Sequence, residues 1–87
     1  MPGIARDAGK DVAGGPDITG SNNVFANGKP VVRIGDLIAS HGLSPHDSAV
    51  MIQGSSNVFV NGKKVCRAGD AASCGHTTSG SGDVFVN

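Results

Sequence analysis

The chain has 87 residues, 38% of them hydrophobic, with 14 glycines, three phenylalanines and no tryptophan or tyrosine. One small domain fits that length, and a core so poor in large apolar side chains calls for help from a metal, a disulfide or a partner. Formal net charge is +0 with no basic block, which argues against nucleic acid as the main ligand.

No apolar run is long enough to span a bilayer. Met1-Pro2-Gly3-Ile4-Ala5-Arg6 has no signal-peptide apolar region, so export, if it occurs, takes another route. Pro2 to Arg6 reads as an edge strand. Asp7 to Thr19 is a loop rich in Gly, Ala and Asp and broken by Gly14-Gly15-Pro16. Its Asp7, Asp11 and Asp17 lack the spacing and closing Glu of an EF-hand and read as solvated loop carboxylates. Asn23 to Arg33 forms a first hairpin. Leu37-Ile38-Ala39 is a short turn or edge, and Ala49-Val50-Met51-Ile52 a strand leading into a second hairpin, Asn57 to Arg67. Asp83 to Val86 is the last strand. Glycine is too frequent, and helical apolar period too weak, for any helix.

The two hairpins are one sentence written twice. Gly54-Ser55-Ser56-Asn57-Val58-Phe59-Val60-Asn61-Gly62-Lys63-Lys64-Val65-Cys66-Arg67-Ala68-Gly69-Asp70 repeats, without a gap, the stretch from Gly20 to Asp36. The offset of 54 − 20 = 34 residues falls in the range of repeat architectures. Asn27-Gly28 and Asn61-Gly62 supply residues that tolerate positive φ, as a type I′ hairpin turn requires. A third copy, Gly80 to Asn87, stops where the others enter their second strand. The missing half lies at the other end, where Pro2-Gly3-Ile4-Ala5-Arg6 compares with Pro30-Val31-Val32-Arg33 and is one residue longer. Three hairpin units are therefore expected: 20–53, 54–79, and 80–87 completed by 1–19. Together they make one domain, 1–87, of all-β class, closed by pairing of the N- and C-terminal strands. Closure removes sheet edges and supports hairpins that alone would be marginal.

All three histidines, His41, His46 and His76, lie in connections that follow Arg-x-Gly-Asp, and Cys74 lies in the same connection as His76. Equivalent loops of a closed repeat project to one end, so these four side chains can converge. Three imidazoles and a thiolate form a closed tetrahedral set suited to structural zinc more than to iron. Exposed, uncommitted histidines are the competing reading. Cys66 aligns with Val32 in a strand and reads as a small buried apolar residue, with a Cys66–Cys74 disulfide as the rival. Arg33/Asp36 and Arg67/Asp70 repeat with the fold, and Arg6 in part. Bridging of each Arg to a carboxylate or carbonyl at a tight turn, eased by Gly35 and Gly69, suits them better than anion binding. No nucleophile sits with its base: Ser44 and Ser48 near His46 form no triad context, and no catalytic residue is assigned.

Taken together, Pro2-Gly3-Ile4-Ala5-Arg6, Val-Phe-Ala/Val-Asn-Gly-Lys at 24–29 and 58–63, Val-Phe-Val-Asn at the end, Arg-x-Gly-Asp at 33–36 and 67–70, and the Ser-His-Gly and Ser-Cys-Gly-His loops resemble the PAAR-repeat family. Its members tip the spikes of type VI secretion systems and contractile phage tails. The resemblance implies a cone with pseudo-threefold symmetry, stapled near its point by zinc on three histidines and a cysteine. On this chain those ligands are His41, His46, Cys74 and His76. It also implies a base that sits, one monomer on a trimer, on a trimeric β-helical spike (VgrG-like or phage central spike). Transient contact with a target envelope follows, as does location at a virion tail tip, or in the bacterial cytoplasm before delivery by contraction. The first connection departs from the family pattern: Asp7–Thr19 has no histidine, and Gly9-Lys10-Asp11 expands the Gly-Asp turn.

Spanning first motif to last, the sequence is expected to be the bare tip, without a toxin extension. The leading expectation is a structural, non-enzymatic cap that sharpens a spike for penetration. An adaptor docking cargo through Asp7–Thr19 and Leu43–Gln53 is the alternative. A small metalloenzyme, which would need an exchangeable water on the metal, ranks third.

Overall fold

A computed structural model describes residues 2–7, 19–39 and 49–86 of the chain. Among them there is no helix, and so none long and apolar enough to cross a membrane. Regular ladders are short. Strand β1 (Phe25–Ala26) pairs antiparallel with β2 (Lys29–Pro30), and β3 (Phe59–Val60) with β4 (Lys63–Lys64). The turns between them have Asn27 at φ 54° and Gly28 at 76°, and Asn61 at 55° and Gly62 at 77°, the two consecutive positive values that define type I′.

The strands are shorter than the sequence pattern suggests because each changes partner halfway. Beyond Pro30 the chain leaves its own hairpin: Val31 bridges Arg6, and Arg33 bridges Val65. In the next unit, beyond Lys64, Arg67 bridges Ile4. Three segments thus form a triangle. At its centre Ala5 N donates to Cys66 O (3.0 Å), Val32 N to Ala5 O (3.0 Å) and Cys66 N to Val32 O (2.8 Å). All three residues are fully buried.

The third hairpin is assembled from the two ends of the chain. Ile4 N donates to Val84 O and Val86 N to Pro2 O, and Gly3 bridges Phe85. Equivalent bonds recur in the continuous units, from Val31 N to Val24 O and from Val65 N to Val58 O. The expected pairing of N- and C-terminal strands is present, with one correction of register. Gly3 faces Phe85 as Pro30 faces Phe25 and Lys64 faces Phe59, so Gly3, not Pro2, takes the place of Pro30. The hydrogen bonds fix this: Asp7 N reaches Pro30 O, Ile34 N reaches Lys64 O and Ala68 N reaches Gly3 O. The extra residue of the first motif therefore belongs to the hairpin side.

Because side chains alternate along an extended chain, the triangle separates two clusters. Ile4, Val31 and Val65 join Ala26 and Val60 on the hairpin side, with Val58, Val84 and Val86 packed around them. Ala5, Val32 and Cys66 join Ile38, Ala49, Met51 and Ala72 on the other, flanked by Ile34 and Cys74. Cys66 is thus a core residue, its Sγ 3.4 Å from Gln53 O, and no disulfide joins it to Cys74.

Each unit opens on a glycine where backbones nearly touch. A Cβ at Gly20, Gly54 or Gly80 would lie 2.9, 2.7 or 2.4 Å from the carbonyl oxygen of Val31, Val65 or Gly3. Gly54→Ala is expected to lower stability by about 1–3 kcal/mol through overpacking against backbone that cannot retreat. Gly28, with open space around it, carries only the conformational penalty of positive φ, about 1 kcal/mol for alanine. Thermal melts of Gly54→Ala and Gly28→Ala check the order.

Candidate functional site

Two kinds of side-chain constellation repeat around the triangle. The first is the Arg-x-Gly-Asp turn. Asp36 N donates to Arg33 O and Asp70 N to Arg67 O, both at 3.0 Å, with Gly35 at φ 92° and Gly69 at 91°. That is a type II turn, which needs positive φ at its third residue. Arg33 grips Asp36 with both prongs, Nε to Oδ2 at 3.0 Å and Nη2 to Oδ1 at 2.9 Å, and its backbone N–H adds a 2.6 Å bond to Oδ2. Arg67 repeats this on Asp70 at 2.9, 2.9 and 2.7 Å. These arginines are structural clamps, as their repetition suggested, and not an anion site.

Burial alone would push the Asp36 carboxyl up, but hydrogen bonds from the Arg33 side chain and backbone and from Thr19 outweigh it and hold Asp36 below the ordinary 3.8. The same contact raises Arg33 above its usual value.

The second constellation was not recognised from the sequence as a network. Arg6 Nη1 donates to Asn27 Oδ1 (2.8 Å), and Asn27 Nδ2 donates to Asp83 Oδ1 (2.8 Å). Ser81 Oγ lies 2.7 Å from Asn27 Oδ1 and 2.8 Å from Asp83 Oδ1. One unit on, Arg33 Nη1 donates to Asn61 Oδ1 (3.0 Å), Asn61 Nδ2 to Asn23 Oδ1 (2.9 Å), and Ser21 Oγ lies 2.6 Å from Asn61 Oδ1. Each serine also accepts backbone N–H groups two and three residues on, at 3.3 and 3.0 Å for Ser21 and 3.1 and 2.9 Å for Ser81. The turn of one hairpin is thereby fastened to an arginine and a serine of another part of the ring. The available signal was the recurrence of Gly-Ser-x-Asx at 20–23, 54–57 and 80–83 beside Asn27 and Asn61. Hydrogen bonds from Ser81 and then from Asn27 lower the Asp83 carboxyl.

Of the four expected metal ligands, Cys74 and His76 are described; His41 and His46 lie outside the described residues. Cys74 is partly buried against the cluster of Ala5, Val32 and Cys66, on a turn closed by Gly75 N to Ala72 O (3.0 Å) with Gly75 at φ 93°. His76 is exposed on the returning strand, its carbonyl accepting from Ala72 N at 2.8 Å. The segment that carries His41 and His46 leaves and rejoins the fold beside this turn. Ile38 N reaches Ala49 O, Val50 N reaches Ser73 Oγ (3.1 Å) and Ser73 N reaches Val50 O (2.7 Å). Ala49 to Ile52, expected as a strand, is extended backbone bridging Leu37 through Val50 and Ala72 through Met51. The described end of the first connection, Val50 and Met51, is therefore laced to Ser73 and Ala72 of the second. Among the described residues no three candidate metal ligands gather at one point. The expanded turn expected at Gly9-Lys10-Asp11 lies outside the described residues.

One further feature obeys the repeat. Phe25, Phe59 and Phe85 are exposed at 57%, 55% and 51%, one per hairpin at the same register position. Their cross-strand neighbours are Pro30, Lys64 and Gly3.

These observations define an all-β, closed, pseudo-threefold hairpin ring. A family model described as the PAAR motif matches residues 10–80, most of the chain. The protein belongs to the PAAR-motif family, as the sequence resemblance indicated, and with that goes a structural role related to spike tips of secretion or phage machinery. A search of curated proteins finds no match.

A depressed Asp36 contributes stability that is present above 3.8 and lost as pH falls through its lowered folded value. Asp36→Asn is expected to be less stable than the parent at neutral pH, with the gap narrowing below pH 3.8. Melting curves recorded from neutral to acid pH check this.

Proposed function

We propose that this protein is the structural tip of a contractile injection machine, capping a trimeric β-helical spike and sharpening it for envelope penetration. The observation that carries the reading is the threefold equivalence of an exposed apolar residue on a single chain. Phe25, Phe59 and Phe85 occupy one position in three units tied together by the same hydrogen bonds. A threefold partner meets such a surface with three near-equivalent contacts, whereas a partner without that symmetry uses one of them. Aromatic anchors are also the residues most often found to dominate binding energy. Location at a virion tail tip, or in a bacterial cytoplasm until firing, belongs to the same proposal.

Zinc on His41, His46, Cys74 and His76 completes it. The donor chemistry fits: a thiol on a tight turn is followed two residues on by an imidazole, and the residues that flank the segment bearing the other two imidazoles are joined to each other and, through Val50, to that turn. Cys74 packs against the cluster of Ala5, Val32 and Cys66, so a metal there would tie two connections to the core and stabilise both. Full protein coordination gives it a structural task. Docking of cargo through the connections is the second reading; exposed Leu37 and Ile52, which flank the connection from 39 to 49, are what favour it.

Binding to the end of a trimeric β-helical spike protein tests the first claim. Each of Phe25→Ser, Phe59→Ser and Phe85→Ser is expected to weaken binding about tenfold or more while leaving the fold intact. Unchanged binding in all three removes this surface as the contact. Elemental analysis tests the second: about one zinc per chain is expected, with chelation lowering the melting temperature by about 10 °C or more. Cys74→Ser should abolish retention of the metal.

A further inference from the structure

Asn27-Gly28 and Asn61-Gly62 have a chemistry that the docking and metal readings leave unused. In an Asn-Gly pair the backbone nitrogen of glycine can attack the asparagine Cγ. A new N–Cγ bond forms, the Cγ–Nδ2 bond breaks and ammonia leaves. Water then opens the five-membered imide to aspartate or isoaspartate. Glycine offers no side chain to hinder the attack, so the reaction needs a carboxamide free to turn and a backbone free to follow.

The folded ring denies both. Each asparagine is held in the left-handed region, at φ 54° and 55°, by a two-residue turn. Each carboxamide is fastened at both ends. Asn27 Oδ1 accepts from Arg6 at 2.8 Å and its Nδ2 donates to Asp83 at 2.8 Å. Asn61 Oδ1 accepts from Arg33 at 3.0 Å and its Nδ2 donates to Asn23 at 2.9 Å.

The two corners differ in one atom's chemistry. Asn61 faces the amide of Asn23, which can rotate to present N–H to a new carboxylate. Asn27 faces the carboxylate of Asp83, which has no proton to offer. A carboxylate at position 27 would set two acceptors against each other, with the Arg6 guanidinium and the single Ser81 hydroxyl as the donors among the groups bonded there. That corner also holds the closure of the ring, since Arg6 belongs to the first strand and Ser81 and Asp83 to the last unit.

We propose that Asn27 and Asn61 are latent deamidation sites, held unreactive by the corner networks, and that conversion at Asn27 rather than Asn61 loosens the closed ring. The modification is spontaneous and consumes only water. Its rate then measures how often a corner opens.

The full chain, incubated at mildly alkaline pH with and without denaturant, is mapped for the one-mass-unit gain at each asparagine. Conversion at both sites is expected to be about tenfold slower, or more, in the folded protein. Equal rates in folded and unfolded chain overturn the protection. Asn27→Asp and Asn61→Asp then test the asymmetry at neutral pH. Asn27→Asp is expected to lose about 5 °C or more in melting temperature and Asn61→Asp no more than about 2 °C. Equal losses overturn it. If Asn27→Asp fails to fold, pairing it with Asp83→Asn is expected to restore the fold, because the new carboxylate then faces an amide. No rescue overturns the assigned cause.

Discussion

Three backbone hydrogen bonds, from Ala5 to Cys66, from Val32 to Ala5 and from Cys66 to Val32, close a cycle at the centre of the molecule. Every donor and acceptor in it is buried, so opening one bond leaves two groups without water to replace it. Each bond joins a different pair of segments, and one of those segments comes from the beginning of the chain. Neither of the two continuous hairpins can complete the cycle by itself. The rest follows from it: two small clusters separated by the triangle, the change of strand partner at Val31 and Val65, and the fastening of each turn to a neighbouring arginine.

Much of this was legible in the residues. Asn-Gly fixed both turns, the gapless match between Gly20–Asp36 and Gly54–Asp70 fixed the repeat, and Val-Phe-Val-Asn at one end with Ile-Ala-Arg at the other foretold the closure. Cys66 read correctly as a core residue because it shares a position with Val32, and the arginine clamps because they recur with the turns. The register of the first strand was less legible. Matching Pro2 to Pro30 is natural by eye, yet hydrogen bonding puts Gly3 there, and the approach of the Ser81 backbone, where a Cβ would fall 1.9 Å from Ser81 O, leaves room for nothing larger. Strand lengths were overestimated for a related reason. Pattern shows which residues are extended, but not that they leave one partner for another.

The polar corners were legible in part. Serine and Asx recurred at fixed offsets, but local turn chemistry accounts for such residues, and nothing in one unit says that its arginine reaches the next unit's asparagine. Contacts that depend on closure can be read only once closure is in hand. Of the expected metal ligands, Cys74 lies on a turn and His76 just after it, while His41 and His46 lie outside the described residues.

Symmetry links structure to function. A single chain that imitates a trimer presents three outward phenylalanines at one repeat position, which is what the proposed threefold partner would meet. Amide hydrogen exchange at Ala5, Val32 and Cys66 tests the closed cycle most directly. The account predicts that all three are among the slowest to exchange and share one protection factor set by global unfolding. Early exchange at Val32, whose amide donates to Ala5, with Cys66 still protected would mean that the first strand is only loosely attached and the ring is open.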